Sequence, residues 1–347
     1  MSGRLVLAYP GRLETSTGGY AYDRRLIEGL RCAGWTVETL GLGDGFPNPS
    51  AEQLQEAEAR LDALPDETLV MIDGLAFGVM DRWAERSAAR LRVVALVHHP
   101  LALETGLTPV QQATFQQVEM RALSHVRHIV VTSPATARGL TAHYGVAEEK
   151  ITVALPGTER APVAKGNNVP PHILTVGTLT RRKGHDVLLK ALDRVRDLAW
   201  HATIVGSRDL DPVTTAELEM LRHQLKLTDR VTFAGERADV RLTMSEADIF
   251  ALASRYEGYG MVFAEALSQG LPVVACLAGA IPDVVPKSAG LLVAVDDVEA
   301  FAAALRRLLT SSAERRKFAD AAFIAGLNLP GWPDTAAIVS SALHRLS

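Results

Sequence analysis

Twelve short β-branched runs separated by stretches with apolar residues at helical spacing constrain this chain more than any other feature. The first six are RLVLAY (4–9), TVETL (36–40), TLVMID (68–73), RVVALVHH (92–99), HIVVTS (128–133) and ITVALP (151–156). Intervals such as AYDRRLIEGLRCAG (21–34) and AEQLQEAEARLDAL (51–64) carry helical periodicity. At 156–171 the text becomes PGTERAPVAKGNNVPP, whose Pro, Gly and Asn read as an interdomain linker. Beyond it the alternation restarts with ILTVG (173–177), ATIVGS (202–207), VTFAGE (231–236), DIFALAS (248–254), LPVVAC (271–276) and GLLVAV (290–295). Mostly apolar strands of this kind are buried on both faces, as in parallel sheets covered by helices. The expectation is an α/β chain of two Rossmann-like, doubly wound domains facing each other across a cleft, over residues 1–160 and 161–328. A last helix in 329–347 is expected to return to the first domain.

A length of 347 residues suits two cores rather than one. The net charge of −4 gives no general field for a polyphosphate backbone, which argues against nucleic acid as a partner and makes any anion site local. Only Cys32 and Cys276 occur, which argues against a disulfide scaffold or a cysteine metal cluster. No apolar stretch approaches the ~18 residues of a membrane span, and MSGRLVLAYPGR has too short an apolar core for a signal peptide. A cytoplasmic protein is expected, with peripheral contact at the inner membrane face left open.

Four stretches can carry chemistry. In RYEGYGMVFAE (255–265) a strand ends near Ser254, the turn Glu257–Gly260 follows, and a helix runs on until Gly270 stops it. Glycines there let a ligand approach the backbone, and the free N–H groups of a helix start favour an anion. Glu257 and Glu265 would stand on either side of that anion, and carboxylates accept pairs of hydroxyl hydrogens, which suits sugars. The segment VGTLTRRKGHDVLLKAL (176–192) sets Arg181, Arg182 and Lys183 in a loop before a helix, where cations can meet an anionic ligand or form a solvated basic loop. The segment STGGYAYDRRLIEGL (16–30) opens another helix with Gly18 and Gly19, a second phosphate-friendly turn that is equally a plain tight turn. Finally, VALVHHPLALETG (94–106) ends a buried strand in His98 and His99; one of them is expected to be a structural hydrogen-bonder. Asp73 and Glu104 lie on loops of the same rim.

Other patterns fall away. DLD (209–211) has a metal-binding spacing, but hard cations need more oxygen ligands than two. GLGDG (41–45) fails the dinucleotide fingerprint, and there is neither a G-x-S-x-G elbow nor a G-x-x-x-x-G-K-[ST] loop.

The E-x7-E spacing of Glu257 and Glu265, followed by a buried strand and GAIPDVV (279–285), resembles the retaining, nucleotide-sugar-dependent glycosyltransferases of family 4, which have the GT-B fold. The likeness spans the chain and is strongest over about 170–310. It implies that Glu257 meets the donor sugar hydroxyls, Glu265 the nucleotide ribose, and the amides of Gly258, Tyr259, Gly260, Met261 and Val262 the diphosphate. It implies Lys183 as a cation on the leaving group, Gly18 and Gly19 against the donor diphosphate, and His98 near the donor sugar, with His99 the runner-up. Asp73 and Glu104 would meet the acceptor. The family usually has an Arg directly after the first Gly of the basic loop, where this chain has Thr178, a departure from the usual two-cation clamp for which Arg182 and Arg181 are the candidate replacements.

The expected function is therefore transfer of a hexose-type sugar from a nucleoside diphosphate, UDP or another base, to an acceptor hydroxyl with retention and without metal or cofactor. The acceptor is left open among lipid, glycan, peptide and small molecule. The alternatives are a non-catalytic nucleotide-sugar-binding protein, suggested by Thr178, and an epimerase or phosphorylase on the same architecture.

Overall fold

The computed structural model describes residues 3–104 and 106–346. Thr105, in the loop read from sequence as facing an acceptor, lies outside the described residues. The chain divides into two compact units, residues 1–157 with 330–347, and residues 158–329.

The first unit holds a six-stranded parallel sheet of β1 (Arg4–Tyr9), β2 (Thr36–Gly41), β3 (Leu69–Asp73), β4 (Arg92–Val97), β5 (His128–Val131) and β6 (Ile151–Val153). Their order is β2-β1-β3-β4-β5-β6. Alternation along the strands sorts side chains into two cores. Val6, Ala8, Val70, Ile72, Val93 and Ala95 join one, and Leu5, Leu7, Leu69, Met71, Val94 and Leu96 join the other. Both faces are covered because each crossover is helical, which is why these strands read as near-continuous apolar runs. Arg4–Tyr9 leads through a loop into helix Gly18–Cys32, which buries Tyr22, Leu26, Ile27 and Leu30 on the sheet.

The second unit repeats the design with β7 (His172–Val176), β8 (His201–Val205), β9 (Val231–Gly235), β10 (Ile249–Leu252), β11 (Val273–Cys276) and β12 (Gly290–Val293). Their order is β12-β11-β10-β7-β8-β9. All twelve strands fall on the runs read from the sequence. In both sheets the winding reverses once, beside β1 in the first and beside β7 in the second. Ligands of doubly wound sheets bind outside the strand C-termini at that point of reversal.

The last helix, Trp332–His344, packs on helix Gly18–Cys32 and buries Ala336, Val339, Ala342 and Leu343. Trp35 Nε1 donates to Ser340 Oγ at 2.8 Å, and Thr335 Oγ1 donates to the Leu155 carbonyl at 2.7 Å. Gly29 permits the approach, since a Cβ there would lie 2.7 Å from that of Ala336. No helix among the described residues is long and apolar enough to cross a membrane.

Candidate active site

At the reversal point of the second unit, the segments after β7 and β10 meet. After β7 the chain makes a short 3-10 turn, Arg181–Lys183, passes Gly184 and enters helix His185–Arg194. Gly184 has φ +64°, and a Cβ on it would lie 1.9 Å from the Ala253 carbonyl oxygen. Only glycine therefore lets the basic turn come so close to the end of β10. Arg255 ties the two segments together. It donates to both carboxylate oxygens of Asp186 at 3.0 Å, to Asp296 at 2.8 Å and to the Arg181 carbonyl at 2.5 Å.

After β10 come Ser254, the turn through Glu257–Gly260, and helix Met261–Ser268. Gly260 is left-handed at φ +89° and starts the helix without a side-chain cap. Among the described residues, no acceptor meets the backbone N–H groups of Gly258, Tyr259, Gly260, Met261 or Val262. Such unpaired donors are normally capped, hydrated or given to a ligand. Tyr259 is buried, and burial pushes its phenol up to about 12. Met261 and Val262 are half-buried.

Glu257 is the centre of this site. Its Oε1 accepts from Lys183 Nζ at 2.7 Å and from Ser254 Oγ at 2.6 Å, and its Oε2 accepts from Arg182 Nη1 at 3.3 Å. Arg182 also donates to the Tyr256 carbonyl at 2.9 Å. Burial pushes the Glu257 carboxyl upward, but the charges of Lys183 and Arg182, with the hydrogen bonds, outweigh it and hold the group at about 2. Arg182 thus stands beside Lys183, whereas Arg181 turns outward to Glu217 at 3.0 Å. Thr178 contributes its carbonyl, which meets His185 Nε2 at 3.0 Å.

Glu265 is one turn further on, half-buried, and its carboxylate meets no donor among the described residues. Burial raises it to about 7, against the attraction of Arg241, which is itself ion-paired with Glu159. The two glutamates therefore differ sharply, one clamped by cations and one open. Elsewhere in the same unit the loops after β8 and β9 frame an open pocket of about 740 Å³ lined by Ser207, Arg208, Asp209, Thr215, Gly235 and Glu236. That volume is in the range of small-ligand sites. The DLD pattern has a local explanation. Asp211 caps helix Pro212–Gln224, accepting from Thr214 N at 2.9 Å and Thr214 Oγ1 at 2.6 Å.

The first unit has a polar cluster at its own reversal point. Gly18 and Gly19 open helix Gly18–Cys32, whose Thr17 makes no side-chain cap, and the amides of Gly18, Gly19 and Tyr20 meet no acceptor among the described residues. Asp73 ends β3 and accepts from Leu75 N at 2.7 Å. His98 follows β4, and its Nε2 lies 3.1 Å from Asp23 and 3.3 Å from Asp73. His99 pairs with Glu104 at 2.5 Å instead. Asp23 escaped the sequence reading: in YAYDRRLIEGL it looks like an ordinary helix aspartate, and only its fully buried position marks it.

Comparison with known proteins agrees with this architecture. The family model for glycosyltransferase family 4 matches residues 24–161, and that for glycosyl transferases group 1 matches residues 170–311. The chain belongs to the family 4 glycosyltransferases. It is 31% identical to a D-inositol 3-phosphate glycosyltransferase of Xylanimonas cellulosilytica, over 60% of this chain and 54% of that one. It is 26% identical to an MMP alpha-(1->4)-mannosyltransferase of Mycolicibacterium hassiacum, over 87% of this chain and 77% of that one. The match to the first of these thus spans about half the relative's length. Among solved structures, sucrose-phosphate synthase of Thermosynechococcus elongatus superposes with a TM-score of 0.84 at 23% identity, over 100% of this chain and 99% of that one. The Anabaena protein HepE in complex with UDP-glucose gives 0.77 at 17%, over 98% and 99%. These likenesses establish the GT-B fold.

Proposed function

We propose that this chain transfers a sugar from a nucleoside-diphosphate sugar to an acceptor hydroxyl with retention at the anomeric carbon. The observation that carries the reading is the site after β10: five backbone N–H groups that meet no acceptor among the described residues, with Lys183 and Arg182 on one carboxylate and a second carboxylate left without a cation partner there. The amides and cations suit a diphosphate, and the carboxylates suit hydroxyls. The donor class is supported by HepE, whose structure holds UDP-glucose. The stereochemistry is supported by family membership.

In this mechanism the bond from the anomeric carbon to the β-phosphate oxygen breaks as the acceptor oxygen bonds to that carbon on the same face. The acceptor's proton passes to the departing phosphate oxygen. Lys183 Nζ carries three protons, so it can keep its bond to Glu257 and still donate to the phosphate as negative charge grows. Glu257 stays ionised and accepts from the sugar. Glu265 accepts from the ribose. Arg182 supplies the cation that Thr178 does not, which weakens the motive for a non-catalytic sugar-nucleotide binder.

The test is calorimetry against a panel of sugar nucleotides with and without EDTA, followed by NMR of the glycosylated product. Heat with at least one donor, undiminished by EDTA, and an anomeric configuration matching the donor are expected. Silence across the panel would remove the reading; an inverted anomer would remove retention alone.

A further inference from the structure

Both carboxylates of the first unit's cluster reach the same ring atom of His98. Asp23 comes from helix Gly18–Cys32, Asp73 from the end of β3, and His98 from the end of β4, so three elements fix one imidazole. With Nε2 held at 3.1 and 3.3 Å, Nδ1 has no partner among the described residues. The ring is held further by the edge of Tyr22, 5.4 Å away between centroids at 81°, and by Gly19, where a Cβ would come within 3.4 Å of His98 Cδ2. Thr132 Oγ1 anchors the His98 carbonyl at 3.1 Å. Asp23 is fully buried and its Oδ2 has no hydrogen-bond partner among the described residues, a costly placement for a carboxylate that does nothing.

We propose that Asp23 is a positioning residue that, with Asp73, holds His98 through Nε2 and leaves its Nδ1–H as a fixed cationic donor to a ligand oxygen. The electrostatics agree. Burial alone would strip the proton from His98, but Asp23 and Asp73 outweigh it and push the imidazole up to about 10. Burial raises Asp23 to about 7, opposed by His98 and reinforced by Asp73, while Asp73 is held below the usual range against its own burial by His98 and the Leu75 amide. The other titratable groups facing the cluster are two phenols and, beyond Tyr20, the Asp44 carboxylate. Tyr20 is raised to about 12 by burial and by Asp73, Asp23 and Asp44, and Tyr22 is raised by burial and by Asp23. Among these groups only His98 can carry positive charge, and its ring lies against Gly19, one of the three residues whose amides meet no acceptor among the described residues. Its part in turnover rests on the glycosyl-transfer reading; its protonation does not.

The experiment is proton–nitrogen NMR of the full-length protein labelled at histidine, with the His98→Gln spectrum to assign the signal. Both ring nitrogens of His98 should stay protonated at pH 8, with a midpoint about two units or more above that of a free histidine. Asp23→Asn should lower the midpoint by about one unit or more, and the Asp23→Asn, Asp73→Asn double variant should take it to the free range or below, since burial then acts unopposed. In turnover, Asp23→Asn should cost about tenfold in kcat at pH 8, with donor KM changed less, because a ring tethered by Asp73 alone keeps its proton there but no longer holds its Nδ1–H in one direction, so the deficit should persist at pH 6. An ordinary midpoint in the unsubstituted protein, or one unmoved by Asp23→Asn, overturns the positioning role. A shifted midpoint with unchanged kcat overturns the catalytic part. Should the unsubstituted protein transfer no sugar at all, the glycosyl-transfer reading fails while the NMR result still decides what Asp23 does.

Discussion

Glu257 and Glu265 show how the same side chain acquires opposite characters eight residues apart. Glu257 is nearly buried but surrounded by Lys183, Arg182 and Ser254, so it is ionised down to about pH 2. Its pairing stabilises the fold fully above the unfolded value near 4.5 and is lost only as pH falls through about 2. Lys183→Ala is expected to lower kcat by about 10²-fold, with less effect on donor KM, because its contact strengthens as phosphate charge develops. Steady-state kinetics with a donor identified by calorimetry would show it, and an unchanged kcat would take Lys183 out of the mechanism. Glu265 is half-buried and meets no donor among the described residues, so its folded value of about 7 exceeds the unfolded one. The native state then holds the proton longer, and stability should fall as pH rises from about 4.5 through 7. Glu265→Gln removes that slope. Its melting temperature should exceed that of the unsubstituted protein by more at pH 8 than at pH 5, and equal differences at the two pH values would refute the assignment. Both glutamates were legible as a spaced pair, but their different states were not. Those depend on which cations the fold delivers to which carboxylate, as the split between Arg182 and Arg181 illustrates.

The elements that carry the site are short and begin at glycines. Helix Met261–Ser268 starts from a left-handed Gly260 with no side-chain cap, so its first amides stay available. Helix His185–Arg194 starts from Gly184, whose missing side chain brings the basic turn against the end of β10. In Gly184→Ala, a strained φ and a Cβ pressed on a carbonyl oxygen combine, and neither can relax through a flexible side chain. A loss of at least ~2 kcal/mol of stability is expected, read as a lower urea midpoint. A midpoint within error of the parent would show that the turn can shift aside at no cost. At this scale the sequence is informative, because a strand run followed by glycine and helical periodicity states its own local structure. The closeness of the two glycine turns to each other, however, comes from strand order, with β10 beside β7 though far from it in sequence.

The molecule as a whole is two doubly wound units, and the chain returns to the first one at its end. Helix Trp332–His344 brings Ala336, Val339, Ala342 and Leu343 into the core of that unit. At ~1.5–3 kcal/mol for each large aliphatic side chain, and less for each alanine, their removal approaches the few kcal/mol that hold a domain folded. Truncation after Leu329 should therefore unfold the first unit, while a fragment of residues 158–329 should melt cooperatively alone; circular dichroism melts of both would decide. A truncated chain that keeps two unimpaired transitions would contradict the packing seen around Gly29 and Trp35. What the sequence determined by itself was periodic or local: twelve apolar strands between amphipathic helices, glycine turns at helix starts, and the spacing of the E-x7-E pair. What only the tertiary structure decided was convergence: Asp23 and Asp73 on one nitrogen of His98, Arg182 rather than Arg181 on Glu257, and Arg255 spanning Asp186 and Asp296. The physical reason is that periodicity records which face of an element is buried, whereas charge pairing and burial of a single polar group depend on neighbours that strand order brings from distant parts of the chain.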